Sequence, residues 1–284
     1  VLENKTKVGK YEINYLKVGT GKHNVLCAPG ALGTIWSEFE HQIEGFNRDQ
    51  FSLVVWDPPG YGKSYPPEKE FSVDFLEKDA DMAYELMKAL QIPKFSVLGF
   101  SDGGITSLLL AAKYPDAVHK LVVWGANSFI LPSELDAYKK IKDVNKWSKR
   151  LVEPMIEIYG KERFAKYWAS WVDAMDAIYQ TNNGNIFSDR LKNIKCPTFI
   201  LYGEKDPMVD RVHVSHLHTH IEGSRIHLYP EGKHHIHLKY NKNIISVFLS
   251  FLSIQLNSNH LFKTKLCPRL RLSVSELYLM NCNR

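Results

Sequence analysis

Phe95-Ser96-Val97-Leu98-Gly99-Phe100-Ser101-Asp102-Gly103-Gly104 is an apolar run of strand length that ends in a serine set between glycines. From Gly104 to Lys113 the spacing turns helical and stops at Tyr114-Pro115, so a G-x-S-x-G lies at a strand-to-helix junction. A serine in such a turn sits in a strained backbone position, and small flanking residues let the neighbouring chain approach it. Outward from this point, strand-like runs recur at Val25 to Ala28, Ser52 to Trp56, Leu121 to Trp124, Thr198 to Tyr202 and Arg225 to Tyr229. Turn residues follow most of them, and Val73 to Leu90 has helical periodicity. This alternation predicts an α/β chain with a buried, mostly parallel sheet, helices on both faces, and a ligand site at the carboxyl ends of the strands.

A serine hydroxyl is a weak nucleophile until a base takes its proton, and that base needs an acid to fix its tautomer. Asp206, in Gly203-Glu204-Lys205-Asp206-Pro207, follows one predicted strand, and His234, in Glu231-Gly232-Lys233-His234, follows the next. Singly, an Asp before Pro is an ordinary turn residue and a loop His is ordinarily solvated. Three residue types on three strand ends, in the order Ser, Asp, His, make Ser101, Asp206 and His234 the candidate nucleophile, orienting acid and base. His235 and His237 lie close by, but His234 is first past the strand and is preferred. An oxyanion needs two fixed N–H donors. The elbow offers that of Asp102, and the loop Pro29-Gly30-Ala31-Leu32-Gly33 offers the other at Ala31, with Leu32 beside it at the substrate.

From about Ser128 to Arg190 there is no strand-like run, and Trp147, Tyr159, Phe164, Tyr167, Trp168 and Trp171 are spread over helical segments. A helical lid over the site is expected there. The formal charge of +5 belongs to residues 241–284, where Lys242, Lys263, Lys265, Arg269, Arg271 and Arg284 face Glu276 alone. Residues 1–240 are therefore neutral and offer no basic face to nucleic acid or an anionic membrane, so neither is an expected partner. The longest apolar run, Ile244 to Leu256, is interrupted by serines and falls short of the ~20 residues of a bilayer span. Cys27, Cys196, Cys267 and Cys282 stand far apart with no CxxC pair, which points to reduced thiols in an intracellular protein. His213, His216 and His220 share one helical face, but no carboxylate or cysteine pattern completes a site; surface histidines and no metal are expected. Serine chemistry needs no cofactor. The start at Val1 suggests a fragment or a processed form.

Cys27-Ala28-Pro29-Gly30-Ala31-Leu32-Gly33, Trp56-Asp57-Pro58, Gly60-Tyr61-Gly62, Ser101-Asp102-Gly103-Gly104-Ile105-Thr106, Ala112-Lys113-Tyr114-Pro115, Trp124-Gly125-Ala126-Asn127, Gly203-Glu204-Lys205-Asp206-Pro207 and Pro230-Glu231-Gly232-Lys233-His234 together resemble the valacyclovir hydrolase family, the biphenyl hydrolase-like serine hydrolases, from about Lys7 to Tyr240. The elbow and triad alone would indicate only the α/β-hydrolase superfamily. The resemblance implies an α/β-hydrolase fold with a helical lid insertion, a mitochondrial location, and hydrolysis of small-molecule α-amino acid esters, including nucleoside prodrugs, and of homocysteine thiolactone. It also implies that the Asp102 carboxylate faces the substrate ammonium, whereas the plainer reading is an aspartate favoured by a helix N-terminus. A monomer is expected.

Two features depart from the family. Pro59 stands where many relatives carry arginine, so an ion pair near Asp57 is missing. After Tyr240 the chain runs on for 44 residues as an atypical segment, with a possible final helix at 243–255 built on Ile244, Val247, Phe248, Phe251 and Leu252, and an irregular remainder that reads as an alternative or misjoined terminus. The rival readings are a carboxylesterase or carbon–carbon bond hydrolase of the same fold, or a non-catalytic binding protein on this scaffold.

Overall fold

Strands buried on both faces alternate their side chains between two cores, and this chain does so. Leu26, Val54, Val97 and Val123 enter one core, while Val25, Cys27, Leu53, Val55, Leu98 and Val122 enter the other. In the computed structural model, which describes residues 2–253, the order is β1 (Glu3–Val8), β2 (Tyr11–Val18), β3 (His23–Ala28), α1 (Ile35–Gly45), β4 (Phe51–Trp56), α2 (Phe75–Ala89), β5 (Phe95–Phe100), α3 (Asp102–Lys113) and β6 (Val118–Trp124). There follow α4 (Pro132–Lys140), α5 (Lys149–Tyr159), α6 (Lys161–Asn182), β7 (Thr198–Gly203), α7 (Val212–His220), β8 (Arg225–Tyr229), α8 (Ile236–Lys239) and α9 (Asn241–Ser253). The strands form one sheet in the order β1-β2-β4-β3-β5-β6-β7-β8. Pairings β1·β2 and β2·β4 are antiparallel and the rest parallel.

The six expected strands correspond to β3 through β8. Strands β1 and β2 were not expected: β1 is a polar edge strand, ENKTKV, with one buried side chain, and β2 sends Tyr11 and Ile13 into the first core and Leu16 and Val18 into the second, with Glu12 and Lys17 exposed. Helix α3 starts at Asp102, two residues earlier than its periodicity suggested, so the serine itself is the N-cap. Helices α2 and α3 cover the first core, and α1 and α9 the second.

The stretch from 128 to 190 holds α4, α5 and α6, with a 3₁₀ turn at Val144–Lys146 and another beginning at Ser188. Helix α9 packs Ile244, Phe248 and Leu252 into the second core, and the compact unit extends through Leu252. Lys120 Nζ, wholly buried, donates to the carbonyls of Phe251 and Leu252 at 3.1 and 2.7 Å, which places a cation at the carbonyl end of that helix. The expected irregular stretch beyond about residue 257 lies outside the described residues. Among the described residues, no helix is long and apolar enough to cross a membrane.

Candidate active site

Ser101 ends the run from β5 into α3 with φ 53° and ψ −122°, a conformation L residues adopt at a cost of about 1–3 kcal/mol. The surroundings hold it there. Its N–H donates to Trp124 O at 2.9 Å, and its carbonyl accepts from Ile105 N at 3.0 Å. The two flanking glycines permit the turn: a Cβ on Gly99 would stand 2.3 Å from Ser107 Oγ, and one on Gly103 would stand 2.1 Å from Ala28 O. The motif therefore specifies close approach of two strands and a helix.

The sheet brings all three candidate residues to its carboxyl edge. His234 Nε2 lies 3.0 Å from Ser101 Oγ, and His234 Nδ1 lies 2.8 Å from Asp206 Oδ2. Asp206 Oδ1 accepts from the backbone N–H groups of Met208 and Val209 at 2.8 and 3.2 Å, so the carboxylate is anchored by its own loop. The His234 ring fits because residue 125 is glycine: a Cβ there would meet His234 Cε1 at 2.8 Å. Such a chain can take the hydroxyl proton onto His234 and stabilise the resulting imidazolium through Asp206. His235 and His237 stand elsewhere. His235 packs on Phe100, and His237 is wholly buried between Trp124 and Glu38.

Asp102 is only 7% exposed. Its Oδ2 accepts from Trp171 Nε1 of α6 at 2.7 Å. Among the described residues no cation forms an ion pair with it. Burial pushes its carboxyl up to about 7; the Trp171 hydrogen bond opposes that, the Asp79 charge adds to it, and Lys69 and His234 oppose it. Ser101, Asp102 and His234 line one cavity with Ile105, Asn127, Tyr138, Trp171, Met175, Met208 and Val209. The cavity thus sets apolar side chains beside a hydroxyl, an imidazole, an amide, a phenol and one buried carboxyl group.

The loop after β3 lies against the elbow, since a Cβ on Gly30 would stand 3.1 Å from Ser101 Cβ. Ala31 is half-buried there. Leu32, expected at the substrate, is wholly buried in the first core with φ 57°, and its carbonyl accepts from the Tyr159 hydroxyl at 2.8 Å. Neither residue lines the cavity. Trp171, one of the aromatics of the expected lid, lines the site, and so do Tyr138 and Met175, which were not expected there. The readable signal was the aromatic spacing Phe164, Tyr167, Trp168, Trp171 on one helix, with an indole N–H that requires an acceptor when buried.

The remaining expectations divide. The absent arginine at Pro59 leaves Asp57 with other partners: its Oδ1 accepts from Ile35 N, and its Oδ2 from Asn14 Nδ2 and Lys63 N, each at 2.9 Å. His213 is not a surface histidine, because it is wholly buried with Nε2 2.9 Å from Glu134 Oε1 of α4. His216 is half-buried and His220 exposed, so only the first of the three histidines turns inward. Among the described residues no group of three or more His, Cys, Asp or Glu could hold a metal ion.

Comparison with known proteins bears on the fold and the family. The α/β hydrolase fold family matches residues 24–143. Serine hydrolase BPHL of Homo sapiens is 45% identical over 236 residues, covering 83% of this chain and 81% of the relative, and the Mus musculus protein of that name matches equally. Among solved structures, an α/β hydrolase enzyme from a Medee basin deep-sea metagenome library superposes with a TM-score of 0.76 at 18% identity, over 90% of this chain and 100% of its own. With that identity over most of its length, and with an eight-stranded, mostly parallel sheet beneath the Ser101 elbow, the chain belongs to the BPHL (valacyclovir hydrolase) family of α/β-fold serine hydrolases.

Proposed function

We propose that this serine hydrolase cleaves esters of α-amino acids with small alcohols, through an acyl-enzyme on Ser101. Ser101 Oγ attacks the ester carbonyl carbon while His234 Nε2 takes its proton, and Asp206 orients the ring and balances the imidazolium. The negative charge that develops on the carbonyl oxygen is held by the N–H groups of Ala31 and Asp102, the latter at the start of α3, where helix N–H groups are unpaired. The carbon–oxygen bond breaks as His234 returns the proton to the leaving alkoxide. Water then attacks the acyl carbon with His234 again as base, and Ser101 is released.

The observation that carries the substrate class is Asp102. A carboxyl group buried beside the nucleophile, without a cation of its own and facing a cavity, is incomplete until a positively charged group arrives. An α-ammonium is one carbon from the carbonyl that Ser101 attacks, which matches a carboxylate one residue from the serine. A charge-assisted contact of this kind is worth roughly 1.5–3 kcal/mol, or about ten- to a hundredfold in selectivity. The test compares valyl esters with matched 3-methylbutanoyl esters, which lack only the amine. Asp102→Asn is expected to lose most of the preference for the valyl ester, with Ser101→Ala inactive on both. An unchanged preference in Asp102→Asn would overturn the ammonium site, and turnover by Ser101→Ala would overturn the nucleophile.

A further inference from the structure

A second hydrogen-bonded chain lies behind the first, in the interior. Trp124 Nε1 is 2.9 Å from His237 Nδ1, and His237 Nε2 is 2.9 Å from Glu38 Oε2. An indole N–H only donates, so His237 Nδ1 accepts and carries no proton. The ring's single proton then sits on Nε2 and is donated to the Glu38 carboxylate. The three residues come from β6, α8 and α1, and all are buried.

This chain touches both moving parts of the reaction. Helix α8, which bears His237, begins two residues after His234. The His237 ring stands 4.4 Å from the Phe100 ring, and Phe100 in turn stands 4.9 Å from the His234 ring. Phe100 precedes Ser101, so the residue beside the nucleophile bridges His237 and His234, with His235 also on its ring at 5.0 Å. Glu38 lies under the other loop: a Cβ on Gly33 would stand 2.9 Å from Glu38 Cγ. Neither Glu38 nor His237 lines the cavity.

We propose that Glu38 and His237 are positioning residues of the hydrolytic reaction, fixing the His234 ring against Ser101 through Phe100 and through residues 234–237, and tying that register to the 29–33 loop. The inference rests on the reading of Ser101 and His234 as nucleophile and base, and is independent of the ammonium site. A misplacement of about 1 Å costs on the order of a hundredfold in rate. Substrate contacts are untouched, so the loss falls on kcat and not on KM.

The test uses hydrolysis of p-nitrophenyl acetate, which carries no amine, with thermal melting of every variant. His237→Leu removes both hydrogen bonds, whereas His237→Gln keeps both, since its carbonyl can accept from Trp124 and its amide N–H can donate to Glu38. Glu38→Leu and Glu38→Gln form the matching pair. The expected result is a kcat lowered about ten- to a hundredfold in the Leu variants, with KM within about twofold, and most of the rate restored in the Gln variants. Normal kcat in a folded Leu variant, a loss carried by KM, or Gln variants as impaired as Leu would each overturn the proposal. Unfolded Leu variants beside fully active Gln variants would assign the pair to stability alone and overturn it too. Turnover by Ser101→Ala, run in parallel, would instead remove the reading beneath it.

Discussion

Asp57 and Asp102 stand one and two residues past β4 and β5, the strands that flank β3, at the same carboxyl edge, and both are buried, at 3% and 7% exposed. Their surroundings differ. Asp57 receives three N–H donors at 2.9 Å, one of them at the start of α1, and closes the corner that holds the loop around Gly62. Asp102 receives one side-chain donor, Trp171, and opens onto the cavity beside Ser101. Burial raises both carboxyls above the usual range, and only at Asp57 do several donors answer it. A buried carboxylate whose acceptor sites are filled holds a fold together; one left half-filled beside a nucleophile stores affinity for a ligand.

The sharpest way to break this contrast is to remove each carboxylate. Asp57→Ala takes the acceptor from three donors, two of them buried, at about 1–3 kcal/mol for each buried one, so a loss of about 3 kcal/mol or more is expected. For a domain of this size that is a fall of about 6–12 °C in Tm. A shift of under 2 °C would show that the corner relaxes or fills with water. Asp57→Asn is also destabilising, because one side of the amide must present N–H to N–H.

At Asp102 the same change to Asn has the opposite sign. Its carboxyl ionises at about 7 in the fold, against about 3.9 in the unfolded chain. Between those values the folded state binds more protons, so this group lowers stability as pH rises from 4 to 7, by at most about 1.4 kcal/mol per pH unit. Asn keeps an acceptor for Trp171 and removes the titration. Asp102→Asn should therefore match the parent's stability near pH 4 and exceed it at pH 8 by about 1–3 kcal/mol, read from denaturant melts at both pH values. A variant less stable at pH 8 would sink the claim that the carboxylate is uncompensated.

Selectivity should follow the same titration. The ratio of kcat/KM for valyl and 3-methylbutanoyl esters cancels every group that both substrates use alike, His234 included. It should fall below a midpoint near 7 as Asp102 gains its proton, and fall again above about 8 as the α-amino group loses its own. A ratio constant from pH 5 to 7 would separate Asp102 from ammonium binding.

How much of this was legible depended on the distance in sequence between partners. The parallel strands were readable because most are continuous apolar runs, β8 (RIHLY) being mixed, and Ser101, Asp206 and His234 because each follows a strand at the sheet edge. Strands β1 and β2 were not, since the polar edge strand ENKTKV and a β2 that carries Glu12, Asn14 and Lys17 look like loop until the sheet that half-buries them is known. Helix α1 went unassigned although Ile35, Phe39 and Ile43 have helical spacing behind the N-cap Thr34. Trp171 with Asp102, and His237 with Glu38, are 69 and 199 residues apart, and no local pattern links them. Burial of His213 was hidden likewise, its partner Glu134 lying 79 residues away.

Trp171 gives the smallest and most selective perturbation. Its indole N–H is the one side-chain hydrogen bond among the forces on Asp102, and it favours the charged carboxylate. Trp171→Phe removes that donor while keeping an aromatic ring against Tyr138 and Trp168, which pack on Trp171 with centroids 5.1 and 5.0 Å away. A net hydrogen bond is worth about 0.5–1.5 kcal/mol, so the acid-side midpoint of the ester ratio should move upward by about 0.5–1 pH unit, with the alkaline limb unmoved because it belongs to the substrate. A midpoint that stays in place would mean that burial alone sets the Asp102 titration and that the lid contributes shape but not charge. A midpoint that moves would make the lid helix part of the recognition of the amine, because the same indole that closes the cavity keeps its carboxylate ready.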